Sequence, residues 1–217
     1  MTSICVISDT HNCHELFNIP KVDILIHCGD FTNMGTVPEF NKFSKWLNKV
    51  DAKHKIIIYG NHDFLGERIP ILAKQLLTHN NVHVLDNQFL TIENINFYGT
   101  SWQPQFHNWA FNKSLEDRER HWNNIVSRNK KIDVLITHCP PYGIRDLIDD
   151  GHLRIENVGC AALKKAAEII KPKYHVFGHI HENFGISDID RTKYINASML
   201  DNTLRKVADR EPIILEI

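Results

Sequence analysis

Short runs of β-branched and aliphatic residues constrain the fold more than any other feature of this chain. Five of them are continuous rather than alternating and pass directly into polar loops; they end at Ile7, Ile26, Tyr59, Ile136 and Phe177. Continuous apolar runs are typical of strands buried on both faces, as in parallel sheets. Because such strands end at a common edge of the sheet, the sequence predicts that five distant loops meet there.

Segments with helical periodicity separate these runs. Thr36 can cap a helix whose Glu39 reaches back to it, and Phe40, Phe43 and Leu47 then form an apolar stripe. Further helices are predicted at about residues 70–77, 115–127 and 161–170. Short strands near 82–85, 89–92 and 95–98 have no helices between them, so an antiparallel portion is expected, and closing strands are predicted near 194–196 and 213–215. The pattern predicts an α/β fold with a mixed sheet.

Length and composition exclude several classes of protein. With 217 residues, a single domain over residues 1–217 is expected. The 25 basic and 26 acidic residues give a net charge of -1, which offers no support for binding duplex nucleic acid. No apolar stretch approaches the roughly 18 residues of a membrane span. Five scattered cysteines without C-x-x-C spacing, and a start (MTSICVISDTH) that lacks a signal peptide, predict a cytoplasmic location.

Side chains that commonly bind metals lie on the five polar loops. They are two aspartates, one asparagine and four histidines: Asp9, His11, Asp30, Asn61, His138, His179 and His181. We expect one metal ion to bind Asp9, His11 and His181, and a second to bind Asn61, His138 and His179. Asp30 is the natural bridge, because a carboxylate can join cations about 3.5–4 Å apart. Glycine before Asp30, Asn61 and His179 leaves room for backbone and metal to approach closely.

The ligand types indicate a hydrolase. Nitrogen and hard oxygen ligands without a thiolate are compatible with Mn, Fe, Zn or Co, and the sequence does not choose among them. Two such cations lower the pKa of a shared water and create a hydroxide for attack on phosphorus. His62 is assigned instead to protonation of the departing alkoxide, with Asp63 holding its other ring nitrogen. The remaining histidines, including His14 and His175, are interpreted as surface or hydrogen-bonded core residues.

The five blocks resemble those of the calcineurin-like metallophosphoesterases. Asp9-x-His11, Gly29-Asp30, Gly60-Asn61-His62-Asp63, His138 and Gly178-His179-x-His181 are all present, in order. The resemblance implies a sandwich of two mixed sheets flanked by helices, a two-metal site, and His62 as the catalytic acid.

A closer similarity covers nearly the whole chain. The segments SWQPQF, HCPPYGIRD, KPKYHVFGHIHENFG and YINAS resemble the metallophosphoesterase domain-containing group of animal brain, which is similar to class III cyclic nucleotide phosphodiesterases. Some members of that group have glycine at the position of His179. This chain keeps the histidine, which implies a competent pair of metals.

The substrate is less constrained by the sequence. We expect a small phosphodiester, with a cyclic nucleotide as first choice, contacted by Asn61, His62, Trp102, His107, Asn112 and Arg145. The aromatic stretch from Trp102 to Phe111 either stacks a nucleobase or only packs beneath a loop. A phosphomonoesterase or Ser/Thr protein phosphatase, and a nucleotide-binding or scaffold protein with negligible turnover, remain alternatives. The sequence does not predict the oligomeric state.

Overall fold

The structure is a computed structural model that describes residues 1–79, 81–149, 155–207 and 209–217. In chain order, its strands are β1 (Ser3–Ile7), β2 (Val22–His27), β3 (Ala52–Ile57), β4 (Val82–Val84), β5 (Gln88–Ile92), β6 (Ile95–Thr100), β7 (Gln103–Pro104), β8 (Asn112–Lys113), β9 (Val134–Thr137), β10 (Leu147–Asp149), β11 (Ile155–Asn157), β12 (Tyr174–Phe177), β13 (Gly185–Ile189), β14 (Thr192–Asn196) and β15 (Ile213–Glu216). Its α-helices are α1 (Val37–Lys49), α2 (Phe64–Arg68), α3 (Pro70–Leu77), α4 (Leu115–Ser127) and α5 (Ala161–Ile170).

Two large mixed sheets organise the chain. The first has the strand order β15-β1-β2-β3-β4, in which only β15 runs antiparallel to its neighbour. The second has the order β13-β14-β12-β9-β6-β5, with a parallel centre and antiparallel pairs at both edges. The predicted sandwich of two mixed sheets is confirmed.

Alternation of side chains along the buried strands produces the layers. In β1, Ile4 and Val6 point into the core between the two sheets, whereas Cys5 and Ile7 face the layer of α1 and α3. In the second sheet, Val134 and Ile136 face the inter-sheet core and Leu135 faces α4 and α5. Both faces of each central strand are therefore buried, which explains the continuous apolar runs.

Helix α1 begins where its sequence signals predict. The Thr36 side chain accepts from the Glu39 N–H, and the Glu39 side chain accepts from the Thr36 N–H, so the capping box is complete. Phe40, Phe43 and Leu47 are fully buried on one face of the helix. Three other predicted helices correspond to α3, α4 and α5.

Some elements differ from the predictions. The strand predicted at 56–59 is β3, which ends at Ile57 because the chain then turns into the polar loop. The strand near 82–85 is β4, which pairs parallel with β3 and does not join the antiparallel part. The elements α2, β7, β8, β10, β11 and β13 were not predicted. The first five are too short to show a periodic pattern, and β13 contains no buried residue, so it lacks an apolar face. Within the described ranges, no helix is long and apolar enough to span a bilayer.

Candidate active site

The candidate metal ligands come from both sheets. Asp9 and His11 follow β1, Asp30 follows β2, and Asn61 follows β3 of the first sheet. The remaining ligands come from the second sheet: His138 directly follows β9, while His179 and His181 follow β12. The carboxyl ends of these strands lie together. The site therefore lies at the same end of both sheets, where their ligand loops meet.

The first group of ligands contains Asp9, His11 and His181, whose ligand atoms lie within 4.8 Å of one another. Nε2 of His181 is 3.4 Å from Oδ1 of Asp9. The Ser198 hydroxyl donates to Oδ2 of Asp9 at 2.8 Å, and the N–H of His179 donates to the same oxygen at 2.9 Å. The same N–H also lies 3.1 Å from Oδ1, so it is shared between both oxygens of Asp9, and Oδ1 faces His181.

The second group contains Asp30, His138 and His179, also within 4.8 Å. Nε2 of His138 lies 3.3 Å from Oδ2 of Asp30 and 2.9 Å from Oδ1 of Asn61. Asp30 also faces the first group, because the same Oδ2 lies 3.9 Å from Nε2 of His11. One carboxylate oxygen therefore lies between the two groups of ligands.

Backbone carbonyls fix the orientation of three site histidines. Nδ1 of His138 donates to the carbonyl of Cys28, and Nδ1 of His181 donates to that of Asp201. Nδ1 of His62 donates to the carbonyl oxygen of Asn33; the three distances are 2.8, 2.7 and 2.7 Å, respectively. Since a carbonyl can only accept, each of these bonds places a proton on Nδ1, and each Nε2 is the ring nitrogen that faces the site.

His11 differs from these residues because neither ring nitrogen has a hydrogen-bond partner among the described residues, although the side chain is buried. Unpaired buried polar atoms are rare and indicate a missing partner. The ring faces two carboxylates, Asp9 and Asp30. The donor set and this orphaned imidazole fit a metal ion.

Burial and the two carboxylates determine the protonation of the site. Burial lowers the pKa of His11 to about 4 and that of His179 to about 3, so both are neutral at pH 7. Burial opposes protonation of His138 and His181 as well, but Asp30 and Asp9 raise the pKa of each to about 9. The carboxylates thus favour a positive charge at each Nε2, which either a proton or a metal ion can supply.

Close packing of the ligand loops explains two of the glycines that precede ligands. A Cβ on Gly60 would lie 2.2 Å from Oδ1 of Asp30 and 2.6 Å from Cε1 of His138. A Cβ on Gly178 would lie 2.0 Å from Oδ2 of Asp9. The same Cβ atoms would also meet the backbone N of Asp30 and the side chain of Ser8, so the space at these glycines lets both backbone and ligand side chains approach closely.

Asp63 does not hold the His62 ring, so this part of the prediction is wrong. Its Oδ2 accepts the backbone N–H groups of Asp30 and Gly60 at 2.9 and 2.8 Å, and its Oδ1 accepts the N–H and hydroxyl of Thr32. Burial raises the pKa of Asp63 to about 8, with a further contribution from Asp30, while the donors oppose the rise. The Asn33 carbonyl takes the place predicted for Asp63 beside the ring.

Within the predicted aromatic stretch, Trp109 rather than Trp102 lies beside the candidate site. The ring of Trp102 packs against His121 of α4, with centroids 4.6 Å apart, and the Lys113 ammonium lies over it. Trp109 instead lies against His62, with centroids 4.2 Å apart, and is only partly buried. These contacts favour packing for Trp102 and a position at the site for Trp109, another residue of the predicted stretch.

The other predicted substrate contacts have structural partners. Asn112 closes the loop after β7 by donating to the carbonyls of Phe106 and His107, and the His107 ring is exposed beside Phe106. Arg145 donates to the carbonyls of Asn183, Phe184 and Ile186 and to the Ser187 hydroxyl. Its guanidinium is engaged in holding β13 and the turn before it, so the predicted phosphate contact is not supported.

His14 is also not as expected. It is fully buried against Phe43 and Trp46, and neither of its ring nitrogens has a partner in the described part of the chain. Burial lowers the pKa of His14 to about 4. It is therefore a neutral core residue, but it is not hydrogen-bonded.

Comparison with known proteins identifies the family. Residues 2–183 match the calcineurin-like phosphoesterase family. The chain belongs to this family. The human protein named metallophosphoesterase domain-containing protein 1 is 33% identical over 241 aligned residues, which cover 99% of this chain and 70% of the human protein. The resemblance drawn from the motifs is confirmed.

Two further relatives extend the comparison. A Methanocaldococcus jannaschii protein named as a phosphodiesterase is 32% identical over 97 residues, which cover 42% of this chain and 51% of that protein. The crystal structure of a Thermus thermophilus protein superposes with a TM-score of 0.62 at 11% identity, over 90% of this chain and 88% of that protein. The second match confirms the fold of this member of the phosphoesterase family.

Proposed function

We propose that this calcineurin-like phosphoesterase is a phosphodiesterase that uses two metal ions, drawn from Mn, Fe, Zn and Co, to hydrolyse small cyclic nucleotides. The position of Asp30 carries the proposal, because its Oδ2 lies 3.3 Å from a ligand nitrogen of one group and 3.9 Å from one of the other. A shared carboxylate between two groups of ligands is what a pair of neighbouring cations requires.

The metals, when bound, would lower the pKa of a shared water and offset charge on the phosphoryl oxygens. Asp9, His11 and His181 would hold one ion, and Asn61, His138 and His179 would hold the other, with Asp30 between them. The protein orients its donors in advance, because backbone carbonyls already turn the Nε2 atoms of His138 and His181 inward.

His62 acts as the general acid. Its Nδ1–H is bound by the Asn33 carbonyl, so its Nε2 is the atom that donates a proton to the departing oxygen. The ligand atoms of His62, His11 and Asp30 also lie within 4.8 Å of one another, which supports a role for His62 beside the two groups of ligands. Because that distance would also allow His62 to bind metal, metal content distinguishes the two roles.

Two observations support a small nucleotide diester over other phosphate esters. The ring of Trp109, 4.2 Å from His62, offers a face on which a base can stack. The archaeal relative named as a phosphodiesterase aligns with part of this chain. A net charge of -1 gives no support for binding a duplex.

The first experiment combines metal analysis with a substrate panel. Metal-stripped protein is reloaded with Mn²⁺, the bound ions are counted, and 2′,3′- and 3′,5′-cyclic nucleotides are tested. We expect two ions per chain and turnover that depends on them. Full activity of the stripped protein would refute the proposal.

Variants test the roles of Asp30 and His62. Asp30→Ala is expected to abolish turnover and reduce metal binding, while the matched change at an exposed carboxylate, Asp188→Ala, leaves both unchanged. His62→Ala is expected to lower kcat by about 10²–10⁴-fold with metal content nearly intact. Loss of metal in this variant would instead make His62 a ligand.

A second comparison tests the ester class. A diesterase is expected to prefer bis-p-nitrophenyl phosphate over p-nitrophenyl phosphate. The reverse preference would favour a monoesterase or protein phosphatase, and tight nucleotide binding without hydrolysis of any diester would favour a binding protein.

A further inference from the structure

Glu39 binds more partners than a helix cap requires. Its Oε2 accepts the N–H and the hydroxyl of Thr36 at 2.8 and 2.7 Å, as in a capping box. Its Oε1 accepts three further hydrogen bonds, from Asn12 Nδ2 at 2.7 Å, the Asn33 N–H at 3.0 Å and the Met34 N–H at 3.2 Å. These three donors belong to two loops at the active site, so the carboxylate also organises that region.

Asn33 connects Glu39 to His62 through its own backbone. Its N–H donates to Oε1 of Glu39, and its carbonyl accepts from Nδ1 of His62 at 2.7 Å. The carbonyl fixes the proton on Nδ1 and so determines which nitrogen faces the site. A shift of Asn33 would therefore move the acceptor that orients the His62 ring.

The same carboxylate oxygen binds the loop that carries His11. Asn12 follows His11 directly, and both have a left-handed backbone, with φ of 63° and 39°. The His11 ring lies edge-on to His62, with centroids 4.7 Å apart. By binding Asn12 and Asn33 with one oxygen, Glu39 holds together the loop of a metal ligand and the loop that orients the acid.

Glu39 is charged at neutral pH. Burial raises its pKa, but the hydrogen bonds from Thr36, Asn12 and Asn33 outweigh this effect and lower the pKa of Glu39 to about 2. The carboxylate can therefore accept at both oxygens. Glutamine at this position conserves size but has only one acceptor oxygen. It therefore cannot accept hydrogen bonds from Thr36 in the cap and from the two loops at the same time.

We propose that Glu39 is a positioning residue that holds Asn33 and thereby orients His62 for proton transfer. The proposal rests on the function proposed above, in which His62 protonates the leaving group. In that step a hydroxide derived from water forms a new bond to phosphorus and the bond to the leaving group breaks, with its electron pair on the departing oxygen. The proton passes to that oxygen from Nε2 of the imidazolium form of His62, which leaves a neutral ring protonated at Nδ1. An alkoxide needs this proton, whereas p-nitrophenolate leaves as a stable anion.

The leaving group makes the proposal testable. Glu39→Gln and wild-type protein are compared with Mn²⁺ on a 2′,3′-cyclic nucleotide and on bis-p-nitrophenyl phosphate. We expect kcat to fall about 10- to 100-fold on the cyclic nucleotide and less than about 3-fold on the nitrophenyl ester. Equal losses on both substrates, or no loss, would overturn the proposal.

Thr36→Ala is the matched control. It removes the Thr36 hydroxyl from the helix cap but leaves the bonds from Glu39 to Asn12, Asn33 and Met34 in place. A lower thermal midpoint without leaving-group selectivity is expected. If Thr36→Ala reproduced the selectivity of Glu39→Gln, the effect would come from the cap and the proposal would be wrong.

A second measurement does not depend on turnover. Nitrogen-15 NMR of the His62 ring, identified by its loss in His62→Ala, reports the tautomer of the neutral ring in metal-free protein. We expect wild-type His62 to be protonated at Nδ1 and Glu39→Gln to contain a mixture of tautomers. An unchanged ring in the variant would overturn the proposal. Wild-type protein that hydrolyses neither diester would refute the proposed function itself, which is distinct from uniform losses in active variants.

Discussion

His175 tests how strongly burial controls protonation in this core. Its side chain is 0% exposed and packs against the rings of Phe177 and Tyr194, at centroid distances of 5.1 and 5.5 Å. Nε2 contacts the Thr137 hydroxyl at 2.9 Å, and that hydroxyl donates its own proton to the Cys139 carbonyl. Nε2 must therefore carry the ring proton, and Nδ1 has no partner within the described residues.

The consequence for stability has a definite sign. A second proton would place a charge in an apolar layer, so burial lowers the pKa of His175 to about 3. In the unfolded chain the pKa is about 6.5. Below that pH the unfolded state binds a proton that the native state does not, so native stability falls as the pH drops from about 6.5 toward 3. Each pH unit costs about 1.4 kcal/mol, which gives about 3 kcal/mol between pH 6.5 and 4.5.

Urea unfolding of His175→Gln measures this contribution. The amide stays neutral and can still donate to Thr137, so the variant lacks only the titration. A chelator is present to remove metal effects. The unfolding free energy of wild type minus that of the variant is expected to decrease by about 3 kcal/mol from pH 7.5 to 4.5, because only the wild type contains the titrating ring. His107→Gln, at an exposed loop position, serves as the control. Parallel pH curves for wild type and His175→Gln would refute the reasoning.

Three further substitutions test packing and binding. Gly60→Ala would place a Cβ 2.2 Å from Oδ1 of Asp30, so most bound metal should be lost by elemental analysis, and retained metal would contradict this. Trp109→Ala removes the ring 4.2 Å from His62; KM for cyclic nucleotides should rise about 10-fold, and an unchanged KM would exclude base stacking there. Phe43→Ala removes a core ring that is 0% exposed and should lower the free energy of unfolding in urea by about 3–5 kcal/mol. A loss below about 1 kcal/mol would show that its neighbours close the cavity.

The positions of the candidate ligands were predictable because each follows a buried strand closely. Asp9, Asp30 and His138 come within three residues of the ends of β1, β2 and β9. The apolar faces of these strands fix their register, so a side chain close to a strand end has little freedom. Helix α1 was predictable for a similar local reason, since Thr36 and Glu39 cap it through their own side chains.

The groups that orient the site were not predictable, because they are main-chain carbonyls. Cys28, Asn33 and Asp201 each accept a histidine Nδ1–H through the backbone oxygen. Every residue has such an oxygen, so residue type gives no signal, and only the tertiary fold decides which one is near. Arg145 illustrates the converse, since its cationic side chain suggested a phosphate ligand but faces the free carbonyls before and at the start of β13.

Backbone strain at the ligands explains why the motif includes Asp63. Asp9, Asp30 and His179 all have left-handed backbones, with φ of 54°, 55° and 70°, and such residues cost about 1 kcal/mol or more unless their surroundings fix them. Asp63 fixes Asp30 by accepting its N–H, and Asp9 fixes His179 in the same way. Each carboxylate therefore stabilises the backbone of a ligand in a loop that follows a different strand. For Asp63 this contact, together with the hydrogen bonds it accepts from Gly60 and Thr32, accounts for an acidic residue beside His62 without any contact to the His62 ring.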